Sequence, residues 1–365
     1  MIKPQDKVFA NLSHQLQRDL PQEPPTRLIN LAAVALGILC SKSLQGGQII
    51  TALPLAGTRD SLKKRVQRFL KNEGVPVDDY YQPLAQRILR RLVTGGARLQ
   101  LTLDRTEWGA FNLRYGGVGW RGRALPLLWR LLAPGASSFA EQKELLAVVA
   151  GWLPTGARVL LRGDREFGTG VLAQWALQQG WGVCLRLRAH EYVRRAGTSY
   201  FERLPLVLPG QRRFWPQGAF TQKHAVAGLN LAMYWAPTAV EPWYLITTEA
   251  TCKLACQSYT TRFRIEEMFK DFKNTGRGFG LELTGVRQPE RLDRLLLALA
   301  LVYTWLLWWG AYVIASGQQK RVDNVRKPTL SLLQTGLRFV LQLWHRGRLI
   351  RFHWHLSMLA ETTNG

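Results

Sequence analysis

The sequence predicts an α/β protein, a mixed sheet flanked by helices, with a helical segment ahead of it and a β-rich stretch set into it. Three observations carry that expectation. Residues 1 to about 95 show apolar spacing of helical period. From Ala97 onward short apolar strands alternate with helical patterns. Two of those strands end in an aspartate, Asp104 and Asp164, at the strand ends where open α/β sheets place their chemistry.

In the first segment, Leu28–Cys40 is an apolar helical run and DSLKKRVQRFLKN, Asp60–Asn72, is amphipathic. Leu62, Val66, Phe69 and Leu70 recur at helical spacing, while Lys63, Lys64, Arg65, Arg68 and Lys71 occupy the other faces. Such a helix docks on a small bundle and either turns its cationic side to DNA or simply solvates it. Next, ARLQLTLDRT reads as a strand ending in Asp104, and RYGGVGWRGRALPLLWRLL as two strands joined by a Gly-rich turn. SSFAEQKELLAVVAGWL is a helix, ARVLLRGDREF a strand ending in Asp164, TGVLAQWALQQG a helix and WGVCLRLR a strand.

Ala189–Glu241 is richer in Gly, Pro and aromatics and carries Arg194, Arg195, Arg212, Arg213 and Lys223. It reads as a β-rich insertion, suited to tracking a nucleic-acid backbone or to a subdomain with a solvated face. The helix Tyr259–Lys273 follows, then the uncharged run Leu295–Gln319, a further helix, SLLQTGLRFVLQLW, and a basic tail. The expected division is 1–95, 96–188, 189–241, 242–316 and 317–365.

Charge narrows the partners. The chain has 49 Lys and Arg against 25 Asp and Glu, a formal +24 spread along its whole length. That excess favours a polyanion, nucleic acid first, because neutralising phosphates releases condensed counterions. The four cysteines, Cys40, Cys184, Cys252 and Cys256, lie in apolar or helical surroundings without paired CxxC spacing, so they read as reduced core residues and not as a zinc site. His353 and His355, around Trp354, read as part of a packed tail. The polar N-terminus lacks the apolar centre of a secretion signal, and a cytoplasmic location is expected. Leu295–Gln319 is long enough to cross a membrane, but it stands alone in a basic globular chain, and a helix apolar all round also suits a large core. No membrane is expected.

The chemistry concentrates in YTTRFRIEEMFKDFK, Tyr259–Lys273. On one continuous helix Arg262, Glu266 and Lys273 sit at about 300°, 340° and 320° from Tyr259, sharing an arc of about 60°. Ile265, Met268 and Phe272 form an adjoining core-facing stripe. Two-metal phosphoryl transfer needs carboxylates from different elements around two Mg²⁺ ions about 3.5–4 Å apart. Asp104, Asp164 and Glu266 can supply them. Arg262 and Lys273 can bind flanking phosphates, and Tyr259 can hydrogen-bond a phosphate or stack on a base.

The order Tyr259, Arg262, Glu266, Lys273 resembles the Y-R-E-K signature of bacterial insertion-sequence DDE transposases, the insertion-sequence-four family that includes relatives of the transposon-five and transposon-ten transposases. LDRTEW and RGDREFG resemble that family's two aspartate motifs, and EPWYLITTE resembles the strand before its signature helix. GRGFGLE and PERLDRLLLALALVYTW resemble the segment after it. The resemblance covers roughly Leu101 to Trp309. It implies a ribonuclease-H-like core with a β insertion before the glutamate helix, and Asp104, Asp164 and Glu266 as ligands for two Mg²⁺ ions, with Mn²⁺ able to substitute. It also implies a homodimer that pairs two transposon ends of double-stranded DNA, cuts them and joins the 3′-hydroxyls to target DNA. Trp243 falls where the family places a Trp that stacks on a flipped base. The alternative is a ribonuclease-H-like nuclease or resolvase without strand transfer.

Overall fold

The computed structural model describes residues 4–323 and 329–348. His353 and His355, and the rest of the tail, lie outside them. Five helices come first: α1 (Pro4–Asp19), α2 (Pro25–Ser41), α3 (Gly46–Thr51), α4 (Arg59–Lys71) and α5 (Val77–Leu92). Then follow β1 (Leu99–Trp108), β2 (Phe111–Trp120), β3 (Arg123–Leu132), α6 (Phe139–Trp152), β4 (Val159–Gly163), α7 (Gly170–Gln178) and β5 (Gly182–Arg186). The strands β6 (Tyr192–Arg194), β7 (Glu202–Arg203), β8 (Arg212–Phe220), β9 (Val226–Tyr234) and β10 (Trp243–Thr247) lead to α8 (Cys252–Thr260), α9 (Arg264–Lys273), α10 (Pro289–Ala315) and α11 (Leu332–His345). The chain forms two compact units: Leu92–Glu266, and the segments before and after it.

The first of these units is built on one ten-stranded sheet of order β3-β2-β1-β4-β5-β10-β9-β8-β6-β7. At its centre β1, β4 and β5 run parallel, with β2 and β3 antiparallel beside them. This is the mixed α/β architecture that the sequence predicts. The stretch expected as an insertion does carry strands, β6 to β9, but they extend the same sheet, because β10 pairs antiparallel with both β5 and β9. The Gly-rich turn is a two-residue hairpin at Arg121 and Gly122, both at positive φ (42° and 78°), the geometry that matches strand twist. Ser138 and Glu141 form a reciprocal capping box that starts α6.

Alternation along β1 separates two jobs. The face of Leu103 and Arg105 meets α6, where the Cβ position of Gly116, Leu103's partner on β2, lies 3.0 Å from Leu145. Asp104 points to the other face, where residues of the α8–α9 region cover the sheet. α7 packs on β5 and β9, and α8 on β5, β8, β9 and β10.

In the helical unit α10 is long and apolar enough to cross a membrane, yet 83% of its most apolar 18-residue window is buried inside the protein. It packs on α2, α4 and α11, which makes the uncharged run a core element. α10 and α11 cross at two glycines. A Cβ on Gly336 would stand 2.0 Å from the Leu306 carbonyl oxygen, and one on Gly310 2.1 Å from that of Leu332. Neither backbone can retreat without opening the crossing, so Gly336→Ala is expected to destabilise this unit by roughly 3 kcal/mol, read as a lower midpoint in thermal denaturation. An unchanged midpoint would mean that the helices do not cross this closely.

Candidate active site

Register brings the two aspartates together. β1 pairs with β4 from Leu99↔Val159 to Thr102↔Arg162, a constant offset. Continued by two residues, it sets Asp164 beside Asp104, on the same face and about one strand spacing (~5 Å) away. The turn that holds Asp164 is tightly specified. Its carboxylate accepts the Glu166 N–H at 2.9 Å, an Asx-type turn. Phe167 is fully buried, and a Cβ on Gly168 would lie 1.7 Å from the Arg186 carbonyl oxygen of β5. Only glycine fits there, which gives the last residue of RGDREFG a steric reason.

Glu266 reaches this place through Arg262. The guanidinium donates from Nη1 to Asp104 Oδ2 at 2.6 Å and from Nη2 to Glu266 Oε1 at 2.5 Å. Asp104 is 6% exposed and Arg262 5%, whereas Glu266 is partly open to solvent. Burial pushes the Asp104 carboxyl up to about 7; attraction from Arg262 opposes this, and the nearby Asp164 and Glu266 carboxylates add to it. Burial works against the Arg262 charge as well, but Asp104, Tyr259, Glu266 and Asp164 together outweigh it and hold the guanidinium charged. A simple ion pair would lower the acid. Burial decides it, with the neighbouring carboxylates adding to it, and Asp104 is raised.

A stability consequence follows. Between its ordinary value of 3.8 and about 7, Asp104 keeps in the folded state a proton that the unfolded chain has lost. Stability therefore falls as pH rises through that window. At one pKa unit per 1.36 kcal/mol, the contribution is up to about 4 kcal/mol. Urea denaturation at pH 5 and pH 7.5 should show this slope in the wild type and a flatter one in Asp104→Asn. Equal slopes would place the Asp104 carboxyl in an ordinary environment.

The continuous helix expected across Tyr259–Lys273 is broken. α8 ends at Thr260, a 3-10 turn spans Thr261–Phe263, and α9 starts at Arg264. Two β-branched residues cause it: the Thr260 hydroxyl donates to the Cys256 carbonyl at 2.8 Å and the Thr261 hydroxyl to that of Ser258 at 2.7 Å, back-bonds that bend helices. The shared arc of four residues therefore does not form. Arg262 and Glu266 stay together as an i,i+4 pair. Tyr259 is fully buried in an aromatic cluster, its ring 4.9 Å from Trp243 and 6.1 Å from Phe263, and the Arg262 guanidinium lies over it at 5.4 Å from the ring centre. Trp243 is half-buried in the same cluster. Lys273 belongs to the helical unit and pairs with Glu282 at 3.3 Å. The expected stripe is in place, with Ile265, Met268 and Phe272 all buried.

Arg162 is a buried cation next to the candidate site that motif spacing does not reveal, although an arginine inside the apolar strand VLLRG is its visible signal. It is fully buried. Its Nη2 donates to the Gln100 carbonyl at 2.7 Å, and its Nη1 to the Ser258 carbonyl at 3.1 Å and to the Thr261 hydroxyl. Burial, with Arg264 and Arg262 nearby, pushes it down to about 9. It ties β1 and β4 to the broken helix one residue before Arg262.

Among the described residues, no group of three or more His, Cys, Asp or Glu is assembled to hold a metal ion as it stands. The expected trio is instead spanned by a protein cation, Arg262, bonded to two of its members. The donors are all carboxylate oxygens, the ligand type that hard divalent cations take.

Of the expected DNA-contacting residues in the helical unit, Lys63, Lys64 and Arg68 are exposed on α4 above the buried Val66, Phe69 and Leu70. Arg65 is committed to structure, its Nε donating to Asn30 of α2 at 2.6 Å.

No protein-family model matches the chain, and no curated protein does. Among solved structures it is similar to the piggyBac transposase in a cryo-EM synaptic complex with hairpin DNA, at 12% identity and a TM-score of 0.47, over 98% of this chain and 82% of that one. At that distance the similarity assigns no activity to this chain.

Proposed function

We propose that this chain is a DNA transposase that cuts transposon ends and joins the freed 3′-hydroxyls to target DNA at Asp104, Asp164 and Glu266. The observation that carries this reading is the single guanidinium of Arg262 bonded at once to Asp104 and Glu266, beside the strand end that bears Asp164. The three carboxylates would hold two divalent ions, Mg²⁺ with Mn²⁺ able to substitute. When bound, such ions lower the pKa of the attacking water and steady the leaving oxygen.

The chain's own residues do the rest. Asp104 must give up both its proton and its bond to Arg262 before it can act as a ligand. Arg262, released, keeps its charge and has a new partner available in the phosphate beside the scissile bond. Trp243, half-buried on the aromatic cluster, would supply the ring on which an extruded base stacks. Strand transfer from precut end DNA tests this reading; cutting with the 3′-hydroxyl left unjoined would make the protein a nuclease.

DNA binding draws on α4. A groove of about 840 Å³ in the helical unit is lined by Arg59, Lys63, Arg287 and Arg291, with Asp60 the one acid among its lining residues. Lys63→Ala with Arg68→Ala is expected to weaken DNA binding and lower the salt slope by about 0.9 for each phosphate that is no longer neutralised. Because Arg65 is tied to Asn30, its removal would mix folding with binding. An unchanged slope in the double variant would move DNA recognition off this helix.

A further inference from the structure

Two thiols on α8 have no part in the function proposed above. Cys252 is the first residue of the helix after its cap, Thr251, and Cys256 stands one turn later. Their sulfurs are 4.0 Å apart, and both side chains are half-buried beside the cluster of Tyr259, Ala255 and Leu245. Arg212 of β8 adds a positive charge near both.

We propose that Cys252 and Cys256 form an oxidation site, in which a peroxide oxidises Cys252 and Cys256 resolves the product to a disulfide within α8. The Cys252 thiolate attacks one peroxide oxygen, the O–O bond breaks, and the departing hydroxide takes a proton, leaving a sulfenic acid and water. The Cys256 thiolate then attacks the Cys252 sulfur; the S–S bond forms, the S–O bond breaks, and hydroxide leaves with the proton Cys256 gave up. Two thiols and one hydrogen peroxide become one disulfide and two waters.

The roles divide by environment. The hydrogen bond from Cys256 pulls the Cys252 thiol down to about 7 against its partial burial, with Arg212 assisting, and the same bond pushes Cys256 up. A place at a helix N-terminus favours thiolate in the same direction. Burial pushes Cys40 up to about 11 and Cys184 up to about 12, so neither competes as nucleophile. A low-pKa, accessible cysteine beside a resolving partner is the arrangement of redox-sensitive sites. Cβ atoms at i and i+4 lie about 5–6 Å apart on a regular helix, and a disulfide needs roughly 3.5–4.5 Å. The first turn of α8 must therefore tighten, and it is the turn least held by intrahelical bonds. α8 carries Tyr259 and leads directly to the 3-10 turn of Arg262, so oxidation strains the element that adjoins the candidate site.

The test is mass spectrometry on the full chain after brief hydrogen peroxide treatment. The wild type should lose about 2 Da, the two hydrogens removed in the summed reaction. Trypsin cleavage at Lys253, between the two cysteines, should then leave fragments still joined until reduction. Cys256→Ser should trap the sulfenic acid, captured by dimedone at Cys252, and Cys252→Ser should show neither product. As a check that needs no variant, iodoacetamide at pH 7 should label Cys252 at least about tenfold faster than Cys40, following their thiolate fractions. No mass loss, dimedone on Cys256 alone, or equal alkylation of Cys252 and Cys40 would overturn the proposal.

Discussion

Asp104→Asn is expected to stop strand cleavage, on the order of 10³-fold or more, while DNA binding stays within a few-fold of the wild type. The substitution keeps the shape of the side chain and an oxygen able to accept the Arg105 N–H that Asp104 accepts at 2.8 Å. It removes the anion. A neutral carboxamide holds a divalent ion less tightly than a carboxylate does, whereas contacts to DNA phosphates come from cations elsewhere. Glu266→Ala should behave alike, since Glu266 bonds Arg262 through one oxygen and has solvent access for another partner. Cleavage by either variant at the wild-type rate in Mg²⁺ would remove that residue from the chemistry.

The second large effect falls on a residue outside the carboxylate set. Arg162→Ala is expected to cost about 2–4 kcal/mol of stability, because the Gln100 and Ser258 carbonyls lose a buried donor and a cavity replaces the side chain. It should also lower cleavage more than this loss of stability accounts for. The guanidinium fixes the 3-10 turn that aims Arg262 at Asp104 and Glu266. Arg162→Lys retains charge and length but not the planar fork, so it cannot serve the Ser258 and Gln100 carbonyls together and should restore stability better than activity. A variant stable to within about 0.5 kcal/mol of the wild type, a roughly neutral substitution, with full activity, would mean that the turn holds itself.

Much of the fold was legible because its signals are local. The apolar strand leading to Asp164 and the hairpin at Arg121 and Gly122 each depend on a few neighbouring residues, whereas β1 does not end at Asp104 as its apolar run suggests, because its second half pairs with β2 as far as Trp108↔Phe111. The buried stripe Ile265, Met268, Phe272 is a periodicity. The break at Thr261–Phe263 was not legible in the same way, because helical spacing assumes a regular helix, and one of the two back-bonding threonines, Thr261, is held by a buried arginine 99 residues earlier in sequence. The burial of Tyr259 against Trp243, with Arg262 still over its ring, is a packing outcome that helical spacing does not encode. The joining of β6–β9 to the main sheet depends on β10 pairing with both β5 and β9, a long-range choice that composition does not encode.

The most direct measurement exchanges a ligand and watches the metal preference. Asp104→Cys and Asp164→Cys replace oxygen with sulfur, a donor that Mg²⁺ accepts poorly and Mn²⁺ better. With the DNA that flanks the reading frame as substrate, each variant should lose cleavage in Mg²⁺ and recover part of it in Mn²⁺, with the wild type active in both. Full activity of both cysteine variants in Mg²⁺ would mean that no metal ion rests on these two aspartates.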